Sequence, residues 1–313
     1  MKKDLNINKR VRGYCINCGK RTSHKHEDEW SCLECVMALE DKLNDDIFNS
    51  ENNPFVKARG LSDCSVGINV VNEKKLKKID LIGFGDWHYG ENSCNREAIK
   101  KQIDWIKSNP YARVILMGDL LNCATRTSVG AGPYDENMNS QEQYEKVLEL
   151  LQPIKDKIYG IHIGNHEQRI KNDTSLNLIK LLSKTLKVKY LGYAAFHKIK
   201  VGKINYTIYS THGSSGATLP YTKIKKCISL SSSFDADVYL MGHVHSVQVL
   251  PMEYEKVDFK NKQVVRTKKY FVLTGHYLGY HDSYAEMKNI LPDKQGCARV
   301  RLNGEKKDVH VSV

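Results

Sequence analysis

Residues 79–90 read IDLIGFGDWHYG, a short apolar run that ends in a Gly-Asp pair with a histidine two positions further on. The run suits a buried strand and is too short for a helix. Next comes NREAIKKQIDWIKSN (95–109), which places Ile99, Ile103 and Ile106 on one face of an amphipathic helix. RVILMGD (113–119) repeats the form of a strand running into Gly-Asp, and QEQYEKVLELLQPI (141–154) repeats the helix. KIYGIHIGN (157–165) reads as a third strand, followed by a helix rich in Leu and Ile from about Thr174 to Leu186. Such alternation implies parallel strands with crossover helices.

Beyond that helix the pattern turns to β. AAFHKIKV (194–201), INYTIYSTH (204–212), DVYLMGHVH (237–245), VQVLPMEYE (247–255), KQVVRTKKYFVLTG (262–275) and ARVRL (298–302) all suit strands. One helix, near Thr222 to Leu230, interrupts them. An α/β first half and a strand-rich second half predict an α/β fold, a two-sheet sandwich flanked by helices.

Three strands end in related chemistry: GDWHYG, GDLLN and GNHEQR. Ligands collect at the carboxyl ends of strands in α/β sheets, so these ends should converge. Two later strands end in STHG and MGHVHS. Together they carry Asp86, His88, Asp119, Asn165, His166, His212, His243 and His245. A mixture of oxygen and imidazole donors suits Mn, Fe, Zn, Co or Ni, with Mn2+ the first expectation. The donors are too many for one ion and suit two, with Asp119 placed to bridge. Only Asp86 and Asp119 offset the charge of two divalent cations, and the remainder would bind phosphate and acidify a water.

At this point the sequence closely resembles the calcineurin-like metallophosphoesterases. Their pattern runs D-x-H, GD, GNH[DE], a single H, then GHxH, and all five blocks appear in order between Asp86 and His245. The resemblance implies a metallophosphoesterase-type sandwich and a metal-dependent hydrolase of phosphoric esters. It implies one metal held by Asp86, His88, Asp119 and His245, and a second held by Asp119, Asn165, His212 and His243. It further implies that His166 faces the leaving-group oxygen as a general acid or hydrogen-bond donor. Here the GD block continues Leu120-Leu121-Asn122 instead of the frequent Asp-Arg, and GNHE replaces the commoner GNHD, with Glu167 in a supporting position.

NCATRTSVGAGPYDENMN (122–139) leaves the site beside Asp119 and is long for a connector, so Asn122, Thr125 and Arg126 are candidates to reach substrate. His276 and His281, in TGHYLGYHDSY, are candidates to line a phosphate pocket, whereas His162 and His197 fall inside strand patterns and read as packing or surface residues.

The first 50 residues differ in character. Cys15, Cys18, Cys32 and Cys35 form CxxC-x13-CxxC, and four thiolates at that spacing close a tetrahedral structural zinc site. Three domains follow: a zinc ribbon over 1–50, a linker over 51–78 and a dinuclear-metal phosphoesterase domain over 79–313. The ribbon could bind nucleic acid or protein, including a second copy of the chain; its lysines and arginine are nearly cancelled by Glu27, Asp28 and Glu29, which favours an interaction role.

The formal net charge of +12 favours an anionic partner such as DNA or RNA. No stretch approaches the roughly 20 apolar residues that span a bilayer, and MKKDLNINKR has no apolar segment behind it, so the expectation is a cytoplasmic chain without a membrane partner. Nine cysteines, an odd number with four in CxxC pairs, argue against a disulfide framework. The combined expectation is a phosphodiesterase acting on nucleic acid, a nuclease. The alternatives are a hydrolase of nucleotides, cyclic nucleotides or phosphomonoesters, and a catalytically inactive interaction module.

Overall fold

A computed structural model describes residues 66–125, 128, 136–281, 283–287 and 291–313. It also describes four two-residue strands nearer the N-terminus: β1 (Gly13–Tyr14) pairs with β2 (Arg21–Thr22), and β3 (Lys25–His26) with β4 (Glu29–Trp30). The chain divides into two units, Met1–Asp63 and Cys64–Val313. Cys15, Cys18, Cys32 and Cys35 lie outside the described residues, and so does Arg126.

The second unit is built on two sheets. In the first, β6 (Lys78–Phe84), β7 (Ala112–Leu116), β8 (Ile158–His162) and β9 (Tyr190–Gly192) run parallel. β16 (Arg299–Asn303) joins β6 antiparallel, and β17 (Val309–Ser312) joins β16. In the second, the order is β13 (Val247–Asp258), β14 (Gln263–His276), β12 (Val238–Met241), β11 (Ile204–Thr211), β10 (Ala194–Val201) and β5 (Val66–Glu73). A short β15 (Gly296–Cys297) adds to β14.

Alternation along β6 shows how the layers form. Ile79 and Leu81 pack with Ile199, Tyr206, Ile208, Leu240 and Val272 of the second sheet, making the core between the sheets. Ile82 and Phe84 point the other way, into a core closed by helices. That core includes Ile99, Ile103 and Ile106 of α1 (Arg96–Ser108), Val147 and Leu151 of α2 (Ser140–Leu151), and Ile179, Leu182 and Leu186 of α4 (Leu178–Leu186). Each such fully buried aliphatic side chain contributes about 1.5–3 kcal/mol. α5 (Pro220–Ser229) contributes Cys227 to a third cluster, with Tyr239 and Phe271 of the second sheet. The helix ends are capped locally: Asn95 accepts from Ala98 at the start of α1, and Asn139 with Glu142 forms a capping box on α2.

Two expectations need correction. Residues 66–73, inside the expected linker, form β5 and pair in parallel with β10. Their alternation is inverted relative to a usual half-buried strand: Ile68 and Val70 are 52% and 60% exposed while Asn69 is buried, its Nδ2 donating to the Tyr159 carbonyl at 2.8 Å. The helix expected from about Thr174 to Leu186 begins later, as α4, and a further helix that was not expected, α3 (Asn165–Thr174), precedes it. Ser175 breaks them in the left-handed conformation, and Asn177 caps the second.

Candidate metal centre

The loops after β6 and β7 are zipped together by their backbones. Asp86 N donates to the Gly118 carbonyl at 2.9 Å, and Trp87 N and His88 N both donate to the Asp119 carbonyl at 2.8 and 3.0 Å. These turns force Asp86, His88 and Asp119 into the left-handed region, with φ of 50°, 48° and 49°. His243 and His245, after β12, share it at 68° and 46°. Residues other than glycine seldom adopt this conformation, and here five gather at one place.

Their side chains meet in overlapping groups. The ligand atoms of Asp86, His88 and His245 lie within 4.8 Å of one another, as do those of Asp119, His212 and His243. Asp119 Oδ2 reaches into both, 3.9 Å from His88 Nε2 and 3.3 Å from His212 Nε2. Asn165 Oδ1 joins the second group, 2.8 Å from His243 Nδ1 and 3.0 Å from His212 Nε2. Each of the seven proposed ligands therefore lies in one of two adjoining clusters. Neighbouring backbone fixes the carboxylates: His243 N donates to Asp86, and His166 N donates to Asp119 Oδ1 at 2.9 Å.

The donor chemistry fits cations. His212 Nδ1–H donates to the Met117 carbonyl at 2.8 Å, which turns Nε2 toward the oxygens of Asn165 and Asp119. The Nε2 atoms of His88 and His245 likewise face each other at 3.0 Å. Imidazole nitrogens and carboxylate oxygens gathered this closely are stabilised by positive charge among them. Although burial disfavours a charged ring at His212, the carboxylates of Asp119 and Asp86 push its pKa up to about 10. Burial, together with the nearby His166 ring, pulls His88 well below its ordinary value, so that ring offers a lone pair.

Glycine makes the approach possible at two points. A Cβ on Gly164 would overlap Asp119 Oδ1, and one on Gly242 would stand 2.8 Å from Asp86 Oδ2.

His166 adjoins the centre, 4.0 Å from Asp119 Oδ2, and its ligand atom lies within 4.8 Å of those of His88 and Asp119, a third group that overlaps the other two. Burial pulls its pKa to about 4, with Asp119 opposing and Arg169 assisting. Its Nδ1 lies 2.8 Å from the carbonyl of Asn122, so Asn122 touches this site through its backbone, with its side chain buried. Thr125 donates its N–H to Ser128 Oγ at 2.8 Å, further along the same loop. His276 is buried and stacks on His245 with ring centroids 5.3 Å apart. His281 is instead on the surface beside Glu286.

The family model for calcineurin-like phosphoesterases matches residues 79–247, more than half of the chain. The chain belongs to the calcineurin-like phosphoesterase family. No curated protein sequence matches it. Among solved structures it is similar to vacuolar protein sorting 29 from Cryptosporidium parvum, at 17% identity and a TM-score of 0.37, covering 75% of this chain and 97% of that one. It is also similar to a metallophosphoesterase from Sphaerobacter thermophilus, at 12% identity and a TM-score of 0.37, covering 74% and 86%. A predicted phosphoesterase from Streptococcus pneumoniae follows, at 14% identity and a TM-score of 0.34, covering 75% and 88%. Members of the calcineurin-like family bind divalent metals, and the two clusters are where this chain could hold them.

Three supports of this calcineurin-like centre go beyond the sequence reading, which placed Glu167 in a supporting position without its partners and did not single out Arg169 or Lys223. Glu167, fully buried, accepts four backbone N–H groups, from Asp119, Leu120, Leu121 and Gly164. Arg169 donates from Nη2 to His166 Nε2 at 3.2 Å. Lys223, 2% exposed, reaches the His245 carbonyl at 3.5 Å and Asp293 at 3.9 Å. Reading GNHEQR as a helix start would have exposed the first two, since Glu at the third helical position caps and a residue three further than His166 shares its face.

Proposed function

We propose that the chain is a dinuclear metal-dependent phosphodiesterase that hydrolyses phosphodiester bonds in nucleic acid. The observation that carries the reading is the meeting of Asp86, His88, Asp119, Asn165, His212, His243 and His245 in two adjoining clusters around Asp119. Divalent ions bound there supply Lewis acidity toward the phosphate ester and the attacking water. A complete set of donors favours an enzyme over an inactive interaction module. The net charge of +12 favours a polyanionic substrate over a small phosphomonoester.

The chain's own residues supply the frame. Glu167 holds the Asp119–Leu121 backbone and Gly164 on a single carboxylate, so the turn after β7 and the start of α3 move as one. Asp86 and Asp119 are aimed by backbone N–H groups from His243 and His166. Such prior ordering lowers the reorganisation needed when charge develops on the phosphoryl group.

The test is an activity panel in manganese that compares single- and double-stranded DNA, RNA, cyclic nucleotides, a phosphomonoester and a chromogenic diester. Cleavage of DNA or RNA well above the small substrates supports the reading. Turnover confined to nucleotides or monoesters would replace the substrate class, and no turnover of any kind would favour the interaction module.

A further inference from the structure

The hydrogen bonds of His166 leave it nothing to donate. Its Nδ1 lies 2.8 Å from the Asn122 carbonyl, which can only accept, so Nδ1 carries the ring hydrogen. Its Nε2 lies 3.2 Å from Arg169 Nη2, and a guanidinium can only donate, so Nε2 is the acceptor. Both ring nitrogens are committed, and the neutral tautomer is fixed by its partners.

We propose that Arg169 is the residue that contacts the substrate phosphate on this side of the centre, and that His166 is its positioning residue. The inference rests on the phosphoester reading above.

Placement supports the exchange of roles. Arg169 follows His166 by three residues on α3, so both side chains rise from one face of the helix. His166 Nε2 is 4.0 Å from Asp119 Oδ2, the oxygen that reaches into both ligand groups, and the guanidinium nitrogen lies 3.2 Å from that same Nε2. Arg169 therefore stands at the rim of the centre, one side chain removed from Asp119. Nη1 is anchored by Ser128 Oγ at 3.1 Å, and Ser128 in turn accepts from Thr125 N. A guanidinium carries five N–H groups in a planar fork, and His166 and Ser128 use two of them. That fork matches two phosphate oxygens, and its positive charge persists at every working pH. Arg169 binds the phosphoryl oxygens and steadies their growing negative charge, with no proton transferred from His166.

A double-mutant cycle on the full chain separates the two accounts, using Arg169→Ala, His166→Ala and the pair, loaded with manganese and assayed on bis(p-nitrophenyl) phosphate. Removal of one donor to a developing oxyanion typically costs about 10²–10³-fold in rate. Arg169→Ala should lower kcat/KM by about 100-fold on that scale, and His166→Ala by less. The double variant should be no worse than Arg169→Ala within a factor of about three, because residues acting as a unit are not additive. Losses that multiply, or an Arg169→Ala variant near wild type, would overturn the proposal.

Two readouts do not depend on turnover. Calorimetric affinity for inorganic phosphate should fall at least about tenfold in the manganese-loaded Arg169→Ala protein and recover only in part in Arg169→Lys, which lacks the fork. Unchanged affinity would overturn the proposal. Nitrogen-15 correlation spectra of the metal-free chain, with His166 assigned by its absence in His166→Asn, should place the hydrogen on Nδ1; a hydrogen on Nε2 would restore His166 as donor. Failure to cleave nucleic acid alone would remove the substrate class and leave all three results standing.

Discussion

Glu167 accepts the backbone N–H of Asp119 at 3.1 Å while sharing its carboxylate with Leu120, Leu121 and Gly164. Glutamine in its place would turn an NH2 toward N–H donors and leave some of them unmet in a buried site. A hydrogen bond to a charged partner is worth about 1.5–3 kcal/mol, so Glu167→Gln should lower the unfolding free energy by about that amount. Urea titration measures it, together with a drop in manganese affinity. Wild-type stability would show that the four contacts are incidental.

Gly164 is the narrowest point of the centre. Gly164→Ala should prevent Asp119 from keeping its place, because the added methyl overlaps Oδ1. The expected result is a folded protein, by circular dichroism, that has lost most of its metal uptake and diester hydrolysis. Full activity would mean that the loop after β7 has room to move.

A chain of hydrogen bonds crosses the core between the sheets. Asn69 Nδ2 donates to His197 Nδ1 at 3.3 Å, His197 Nε2–H to Ser210 Oγ at 2.6 Å, Ser210 to His162 Nε2 at 2.7 Å, and His162 Nδ1–H to the Gly192 carbonyl at 3.0 Å. Burial pulls His162 to about 4 and His197 to about 3. Both are neutral in the fold, whereas the unfolded chain binds protons at them below about 6.5. Stability should therefore be fully present above about pH 6.5 and fall as the pH drops toward 4. Urea unfolding at pH 7.5 and pH 5 should show this loss, and His197→Gln should flatten it. An identical pH slope in the variant would assign the loss to other groups.

Much of this was legible in the strand ends. GDWHYG, GDLLN, GNHEQR, STHG and MGHVHS each carry their chemistry locally, and the parallel order of β6, β7 and β8 brings the first three to one edge. β5 was not legible because its buried face carries Asn69 beside Val71 while Ile68 and Val70 face outward. Glu167 was legible as a supporting residue but its partners were not, and Arg169 was not legible at all, because these roles depend on atoms 40 or more residues away: the Asp119 backbone for one, and the His166 tautomer set by the Asn122 carbonyl for the other. His162 and His197 form a polar thread that strand periodicity alone does not reveal.

The zinc ribbon expected over residues 1–50 would stand apart from the centre in ligand chemistry. Cys15→Ser with Cys18→Ser should remove one zinc per chain while hydrolysis of a chromogenic diester persists, because among the described residues no cysteine belongs to the ligand groups around Asp119. Metal analysis and the diester assay check both halves. Loss of hydrolysis in a soluble double variant would show that the two units depend on each other.

The most direct test of the dinuclear account is electron paramagnetic resonance of the manganese-loaded chain. A structural zinc site is silent in that measurement, so the signal reports the centre alone. Two ions joined through the carboxylate of Asp119 should give a broad, exchange-coupled spectrum at two equivalents, replaced in Asp119→Ala by weak uncoupled binding or none. A single six-line spectrum that saturates at one equivalent and survives Asp119→Ala would contradict it.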